Sequence, residues 1–251
     1  MWWTLSAALL VCFSLLGCST APRPPLAMIP VLLEPSGTMP LIRQDLYHEV
    51  APLETLWRIS KMYDVDQAAI TRANRLRNPS SLSVGQRLFI PQAAAHRSVI
   101  PLYRTRPWSY IVVHHSATEV GNALTIDRAH HRRGFWEGLG YHFLIDNGTL
   151  GKGAGQIEIG PRWIKQQDGA HCNAGGMNEQ GIGICLVGNF SNGPVAKEQF
   201  ESLVFLVRLL SAHYQIPLDQ VIRHRDVPGK DTECPGNLFP WHEFKERLTA
   251  P

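Results

Sequence analysis

Tyr110-Ile111-Val112-Val113-His114-His115-Ser116 is the stretch on which the fold turns. Its apolar run is short and rich in β-branched residues, the pattern of a strand buried on both faces. It closes on two histidines, so the sheet delivers imidazoles where the strand stops. Outward from it, residues 141–145 read as a strand before the turn Asp146-Asn147-Gly148, and residues 182–187 as another apolar strand. Residues 125–133 have helical spacing. Phe200, Leu203, Val204, Val207, Leu210 and Tyr214 form one stripe of a longer helix, with Pro217 beyond its end. A last helix is expected over 240–248. Strands alternating with helices in this way predict an α/β domain, a mixed central sheet flanked by helices.

Three segments carry the chemistry. They are Val113-His114-His115-Ser116, Gly140-Tyr141-His142-Phe143, and Arg223-His224-Arg225-Asp226 leading to Thr232-Glu233-Cys234-Pro235-Gly236. A catalytic zinc ion takes three nitrogen or sulfur donors and keeps a fourth position for water. Such an ion lowers the pKa of water from about 15.7 to about 7 and polarises a carbonyl. Two histidines and a cysteine meet that need, but spacing alone does not select them among 11 histidines. Strand neighbours point to opposite faces, so His114 and His115 are not expected to share one ion, nor Tyr141 and His142 one pocket.

The composition, 44% hydrophobic and 18% charged over 251 residues, is that of a folded protein with room for a medium domain and a small one. A formal net charge of +3 gives no reason to expect nucleic acid as a partner. Residues 1–18 are an apolar leader ending in Leu15-Leu16-Gly17-Cys18, which resembles the bacterial lipobox. That resemblance implies lipidation of Cys18 and a membrane anchor; the other reading is an ordinary secretory signal. Ser19 after the cysteine implies the periplasmic face of the outer membrane. Beyond the leader, Cys172, Cys185 and Cys234 are an odd number, so at least one is free, metal-bound or intermolecular. Residues 19–46 carry six prolines and read as an extended tether.

Residues 47–91 follow a β-α-α-β pattern. Tyr47, Val50, Thr55-Leu56-Trp57, Ile59, Tyr63, Val65, Ala73-Asn74, Leu76, Pro79, Gly85-Gln86, Leu88 and Ile90-Pro91 make this segment similar to a LysM module. The resemblance implies binding to N-acetylglucosamine-containing glycans such as peptidoglycan. Ala51-Pro52-Leu53-Glu54 departs from the family's usual Ser-Gly-Asp turn. Residues 92–108 read as a second linker, and residues 109–251 as the larger domain.

That larger domain resembles the type-2 N-acetylmuramoyl-L-alanine amidases, which include phage amidase lysozymes and peptidoglycan recognition proteins. The matching strings are IVVHHSAT, GYHFLIDNGTL, GAHCNAGGMNEQGIGICLVGNF and HRDVPGKDTECPG. The resemblance implies Zn2+ held by His114, His224 and Cys234, with Tyr141 and Thr232 as catalytic residues and His171 lining the substrate groove, although a loop histidine beside glycines reads equally as a hydrogen-bonded structural residue. It implies hydrolysis of the amide between N-acetylmuramic acid and L-alanine, by a chain expected to be monomeric. Thr232 stands where some relatives carry Lys, and Lys230 is the nearby cation. Cys185 stands where some carry a glutamate base, which leaves proton transfer to Tyr141 or to the hydroxide itself. Cys172 and Cys185 either pair or stay apart and buried.

Overall fold

The computed structural model describes residues 28–33, 43–94, 96–135 and 137–250. The chain opens with β1 (Met28–Leu33) and β2 (Gln44–Glu49), passes through α1 (Leu56–Tyr63) and α2 (Gln67–Ala73), and returns as β3 (Arg87–Ala93) and β4 (Ser98–Tyr103). β2 and β3 pair antiparallel, with Tyr47 opposite Phe89 and Glu49 opposite Arg87. Thr55 caps α1 by accepting from the Arg58 backbone, and Asp66 caps α2 by accepting from Ala68. Leu56, Ile59, Met62, Ile70, Leu88 and Ile90 close a small core between the helices and the strand pair. This is the expected β-α-α-β unit.

Two segments read as linkers turn out to hold structure. β4 lies inside the 92–108 segment, and all six of its residues are buried. Val99 joins the small core, whereas Ile100, Leu102 and Tyr103 join the large one. One strand is therefore packed into two cores at once. β1 lies inside the proline-rich 19–46 segment and pairs antiparallel with β4, with Pro30 opposite Pro101. Proline lacks the N–H a central strand must donate, but a two-stranded ribbon has open edges that tolerate it. The prolines suggested a tether because composition does not register such edges.

The larger domain follows as β5 (Tyr110–His115), α3 (Ala123–Arg132), β6 (Phe143–Asn147) and β7 (Ala154–Ile159), then the short helices α4 (Pro161–Ile164) and α5 (Met177–Gln180). β8 (Gly181–Leu186), α6 (Lys197–Tyr214), β9 (Val221–Arg223) and α7 (Trp241–Thr249) complete it. Its sheet has the order β7-β6-β8-β5-β9, with β7 antiparallel and the others parallel. Ile111, Val113, Phe143, Ile145, Ile182 and Ile184 form one sheet face and pack against Phe200, Leu203, Val207 and Leu210 of α6. Burying each such side chain contributes roughly 1.5–3 kcal/mol. On the other face Leu144 and Cys185 pack beneath Ala123 and Ile126 of α3. Asn122 and Thr125 form a reciprocal capping box that starts α3.

Candidate active site

The site lies at the carboxyl end of the parallel strands, where open α/β sheets place their ligands. His114 is the fifth residue of β5, buried, and in register with Cys185 of β8. His115 points to the opposite face, where its Nδ1 accepts from the Phe190 backbone N–H at 3.1 Å. The pleat thus separates the two histidines as the strand rule requires. His224 follows β9, whose Arg223 pairs with Val113 of β5. It begins a single 3-10 turn over residues 224–226, held by Asp226, whose carboxylate accepts from the Arg223 backbone and guanidinium. Cys234 returns on the next loop, tied by a bond from the Arg225 N–H to the Cys234 carbonyl at 3.0 Å.

These elements bring one ligand atom from each of His114, His224 and Cys234 within 4.8 Å of one another. His114 Nδ1 lies 3.7 Å from Cys234 Sγ. His224 Nε2 is buried with no hydrogen-bond partner. An orphaned imidazole nitrogen beside a second imidazole and a thiol is costly unless something accepts their lone pairs. Burial, then Lys230 and His115, pushes the His224 imidazole down to about 4, and burial holds that of His114 well below its ordinary value. Both rings are therefore neutral donors at neutral pH. Burial pushes the Cys234 thiol up to about 12, so its thiolate needs a cation beside it. A tetrahedral metal such as zinc fits this donor set.

His171 is found hydrogen-bonded through both ring nitrogens. Its Nε2 donates to the Gly181 carbonyl at 3.2 Å, which leaves Nδ1 to accept from His114 Nε2–H at 3.1 Å. The relay fixes the His114 tautomer and turns His114 Nδ1 toward Cys234. With both nitrogens engaged and the ring buried, His171 orients the His114 imidazole. The ring needs two glycines: a Cβ on Gly183 or on Gly169 would lie 2.3 Å from His171 Cδ2. A loop histidine beside glycines was visible in the sequence, but its partner 57 residues away was not.

Tyr141 is half-buried beside the pocket, its ring centroid 5.3 Å from that of His114. Burial, with Cys185 and Cys234 nearby, raises its pKa well above the ordinary value, so the phenol stays a donor. His142 faces away and is structural: its Nδ1 accepts from Gly183 N–H, and its Nε2 meets the Gln167 carbonyl. Thr232 Oγ1 accepts from the Cys234 N–H at 3.2 Å, which leaves its own proton to donate. Lys230 donates to Asn173 Oδ1 at 2.5 Å and is near enough to act electrostatically on His114 and His224. Cys172, Cys185 and Cys234 are all free, and the first two sit in different clusters. Burial keeps the Cys185 thiol protonated, so it does not act as the base that a glutamate would be. Cys18 lies outside the described residues.

Two imidazoles, a thiol and a phenol gathered at the ends of parallel strands define a hydrolase-type site able to hold one metal ion. The N-acetylmuramoyl-L-alanine amidase family model matches residues 104–237, and the LysM domain model matches residues 48–91. The endolysin of Enterobacteria phage T3 is 31% identical over 150 residues, covering 56% of this chain and 89% of the phage protein. A peptidoglycan-recognition protein of Drosophila melanogaster is 30% identical over 142 residues, covering 52% of this chain and 69% of the insect protein. The N-acetylmuramoyl-L-alanine amidase LysC from Clostridium intestinale URNW is 37% identical, covers 61% of this chain and 92% of its own, and aligns with a TM-score of 0.49. The chain belongs to the N-acetylmuramoyl-L-alanine amidase family, with a LysM domain in front of the amidase domain. It is a peptidoglycan amidase that also binds the cell wall through LysM.

Proposed function

We propose that the chain cuts the amide between N-acetylmuramic acid and L-alanine as a zinc enzyme, with His114, His224 and Cys234 as ligands. The observation that carries this is the donor set within 4.8 Å, with the His224 Nε2 lone pair otherwise unspent. Zinc, when bound, supplies Lewis acidity, which polarises the scissile carbonyl and acidifies water at neutral pH. His171 holds His114 in the tautomer that presents Nδ1. The Tyr141 hydroxyl donates toward the oxygen on which charge develops, and Thr232 Oγ–H donates from the opposite loop. Lys230, beside His224, adds a positive field at the site. The amide nitrogen leaves as the free α-amino group of the stem peptide.

Purified protein with zinc should release stem peptides from murein, with about one zinc per chain by elemental analysis. Activity in metal-free protein, or in His114→Ala, would sink the zinc assignment. Anchoring belongs to the same reading: Cys18 carries lipid, and a monomeric enzyme works from the periplasmic face of the outer membrane. This rests on the lipobox-like Leu15-Leu16-Gly17-Cys18 and on Ser19. Fractionation tests it, since Cys18→Ala should move the protein from the membrane to the soluble fraction.

A further inference from the structure

Helix α3 has a basic face that neither the fold nor the site uses. Arg128, Arg132 and Arg133 are exposed, and among the described residues none of the three side chains makes a hydrogen bond or ion pair. A helix C-terminus favours cations in its last turn, which accounts for Arg132 and Arg133. Arg128 lies further back, and exposed Arg87 belongs to the LysM module. Their placement calls for another reason.

Both ends of this helix lead to a binding feature. Leu124 and Arg128, one turn apart on one side of the helix, abut the LysM module. A Cβ on Gly85 would lie 3.7 Å from Leu124 Cδ2 and 3.7 Å from Arg128 Nη2. Gly85 lines a cleft of about 370 Å³ between the modules, together with Tyr47, Glu49, Arg87, Leu150 and Lys152. That volume is in the range of small-ligand sites. Tyr47 is 54% exposed, and the Arg87 guanidinium stacks 4.0 Å over its ring, which leaves the N–H edges free for a carboxylate. At the other end buried His130, on the inward side of the helix, accepts from the Gly140 N–H at 3.0 Å with its ring 5.6 Å from that of Tyr141, and exposed Arg133 just past it acts electrostatically on both. From Arg128 to Arg133 the helix rises only about 7 Å.

We propose that Arg87, Arg128, Arg132 and Arg133 form one track from the intermodule cleft to Tyr141. The track takes the stem-peptide carboxylates of a glycan strand while a neighbouring stem on that strand is cut. This rests on the amidase reading and extends it, naming polymeric, multi-stem peptidoglycan rather than a single muropeptide as the preferred substrate. Charge selects the occupant. Glu49 lies in the cleft beside Arg128 and across the strand pair from Arg87 and offsets part of their charge, whereas Asp127 is turned to the Leu139 N–H and His131, which leaves Arg132 and Arg133 unopposed. Each exposed arginine is worth little alone in salt, but several stems on one strand bind together.

The test compares wild type with R128Q/R132Q and with the charge-matched control R104Q/K197Q, whose residues are exposed elsewhere. Zinc-loaded protein is sedimented with sacculi on ice, before product is detectable. The ratio of kcat/KM on long uncrosslinked glycan strands to that on a monomeric disaccharide tetrapeptide is measured separately. R128Q/R132Q should weaken sedimentation and lower the polymer-to-monomer ratio by roughly five- to tenfold, and about 0.5 M salt should bring wild type to the same level. The control should move neither by more than about twofold. Unchanged sedimentation and ratio in R128Q/R132Q, or an equal fall in the control, overturns the track. Wild type that sediments but cuts neither substrate would overturn the amidase reading, and the sedimentation difference would still judge the track.

Discussion

Two buried histidine clusters in this chain look alike in composition and differ in what they lack. In the LysM module His48 Nδ1 meets the Tyr63 hydroxyl at 3.0 Å, and His48 Nε2 meets Glu54 Oε2 at 2.7 Å. Glu54 also accepts from the Ala51 N–H at 2.9 Å, and Arg58 lies 3.9 Å away. Both nitrogens of His48 have protein partners, so its own lone pair is spent inside the protein, although Arg58 Nε and the neighbouring His96 Nε2 are buried without a partner. In the amidase domain His114 and His171 are likewise chained, yet the chain stops with His114 Nδ1 facing Cys234 and with His224 Nε2 unpartnered. A histidine satisfied in this way holds a fold together, whereas an open cluster is set for a ligand. The same residue type serves both purposes, and what separates them is that only the amidase cluster, among the described residues, brings ligand atoms of two imidazoles and a thiol within 4.8 Å of one another.

The strongest way to break this contrast is to remove a donor from the open cluster. His114→Ala or Cys234→Ala should lower amide hydrolysis on the order of 10³-fold or more and abolish zinc retention. Thermal unfolding of zinc-free Cys234→Ala should stay close to that of zinc-free wild type, whereas His114→Ala also strips buried His171 of its partner and should cost about 1–3 kcal/mol. A variant that keeps both zinc and activity would undo the assignment. Tyr141→Phe should cost less, about 10²-fold in kcat, with zinc content unchanged. A loss of zinc in that variant would make the tyrosine structural.

The His48 cluster should answer in stability instead. Burial alone would raise the pKa of Glu54, but the charge and hydrogen bond of His48, with Arg58 and the Ala51 N–H, outweigh it and hold the carboxyl at about 2. A folded-state value below the ordinary 4.5 means stability present above pH 4.5 and lost as pH falls toward 2. A shift of that size corresponds to about 3 kcal/mol. Glu54→Gln should therefore destabilise the LysM region by about 3 kcal/mol at neutral pH and flatten its acid transition. Zinc content should not change. An unaltered acid transition in Glu54→Gln would remove the pair from this role. The smallest effect is expected at the seam of the large core, where the Tyr214 hydroxyl donates to the Tyr103 carbonyl at 2.7 Å and accepts from its N–H at 3.2 Å. Tyr214→Phe should cost about 1 kcal/mol by denaturant melting, without touching either cluster.

The seam also shows how sequence reading failed. The run Ser98-Val99-Ile100-Pro101-Leu102-Tyr103 is apolar enough for a strand, but a proline at its centre and short polar flanks made it read as linker. Its burial comes from two cores that meet only in the folded chain, Val99 in one and Ile100 in the other. The Trp163 indole N–H, which donates to the Pro101 carbonyl at 2.7 Å, lies 62 residues away. Lys152 tells a similar story. Its ammonium reaches Glu158 at 2.8 Å and the Glu49 carbonyl of the LysM module at 3.4 Å, so a glycine-rich turn carries a buried contact between modules.

The sequence by itself determined the mixed α/β sheet and the LysM pattern, and it pointed to His114, His224 and Cys234 only through a family resemblance. Periodicity is local, and strand alternation alone sends His114 and His115 to opposite faces. Tertiary structure decided what those donors face. It brought Cys234 to 3.7 Å from His114 across 120 residues and left His224 Nε2 without a partner. It also set His171 against His114, whose ring it orients. Hydrogen-bond satisfaction depends on distances between segments remote in sequence, and only the folded chain fixes those.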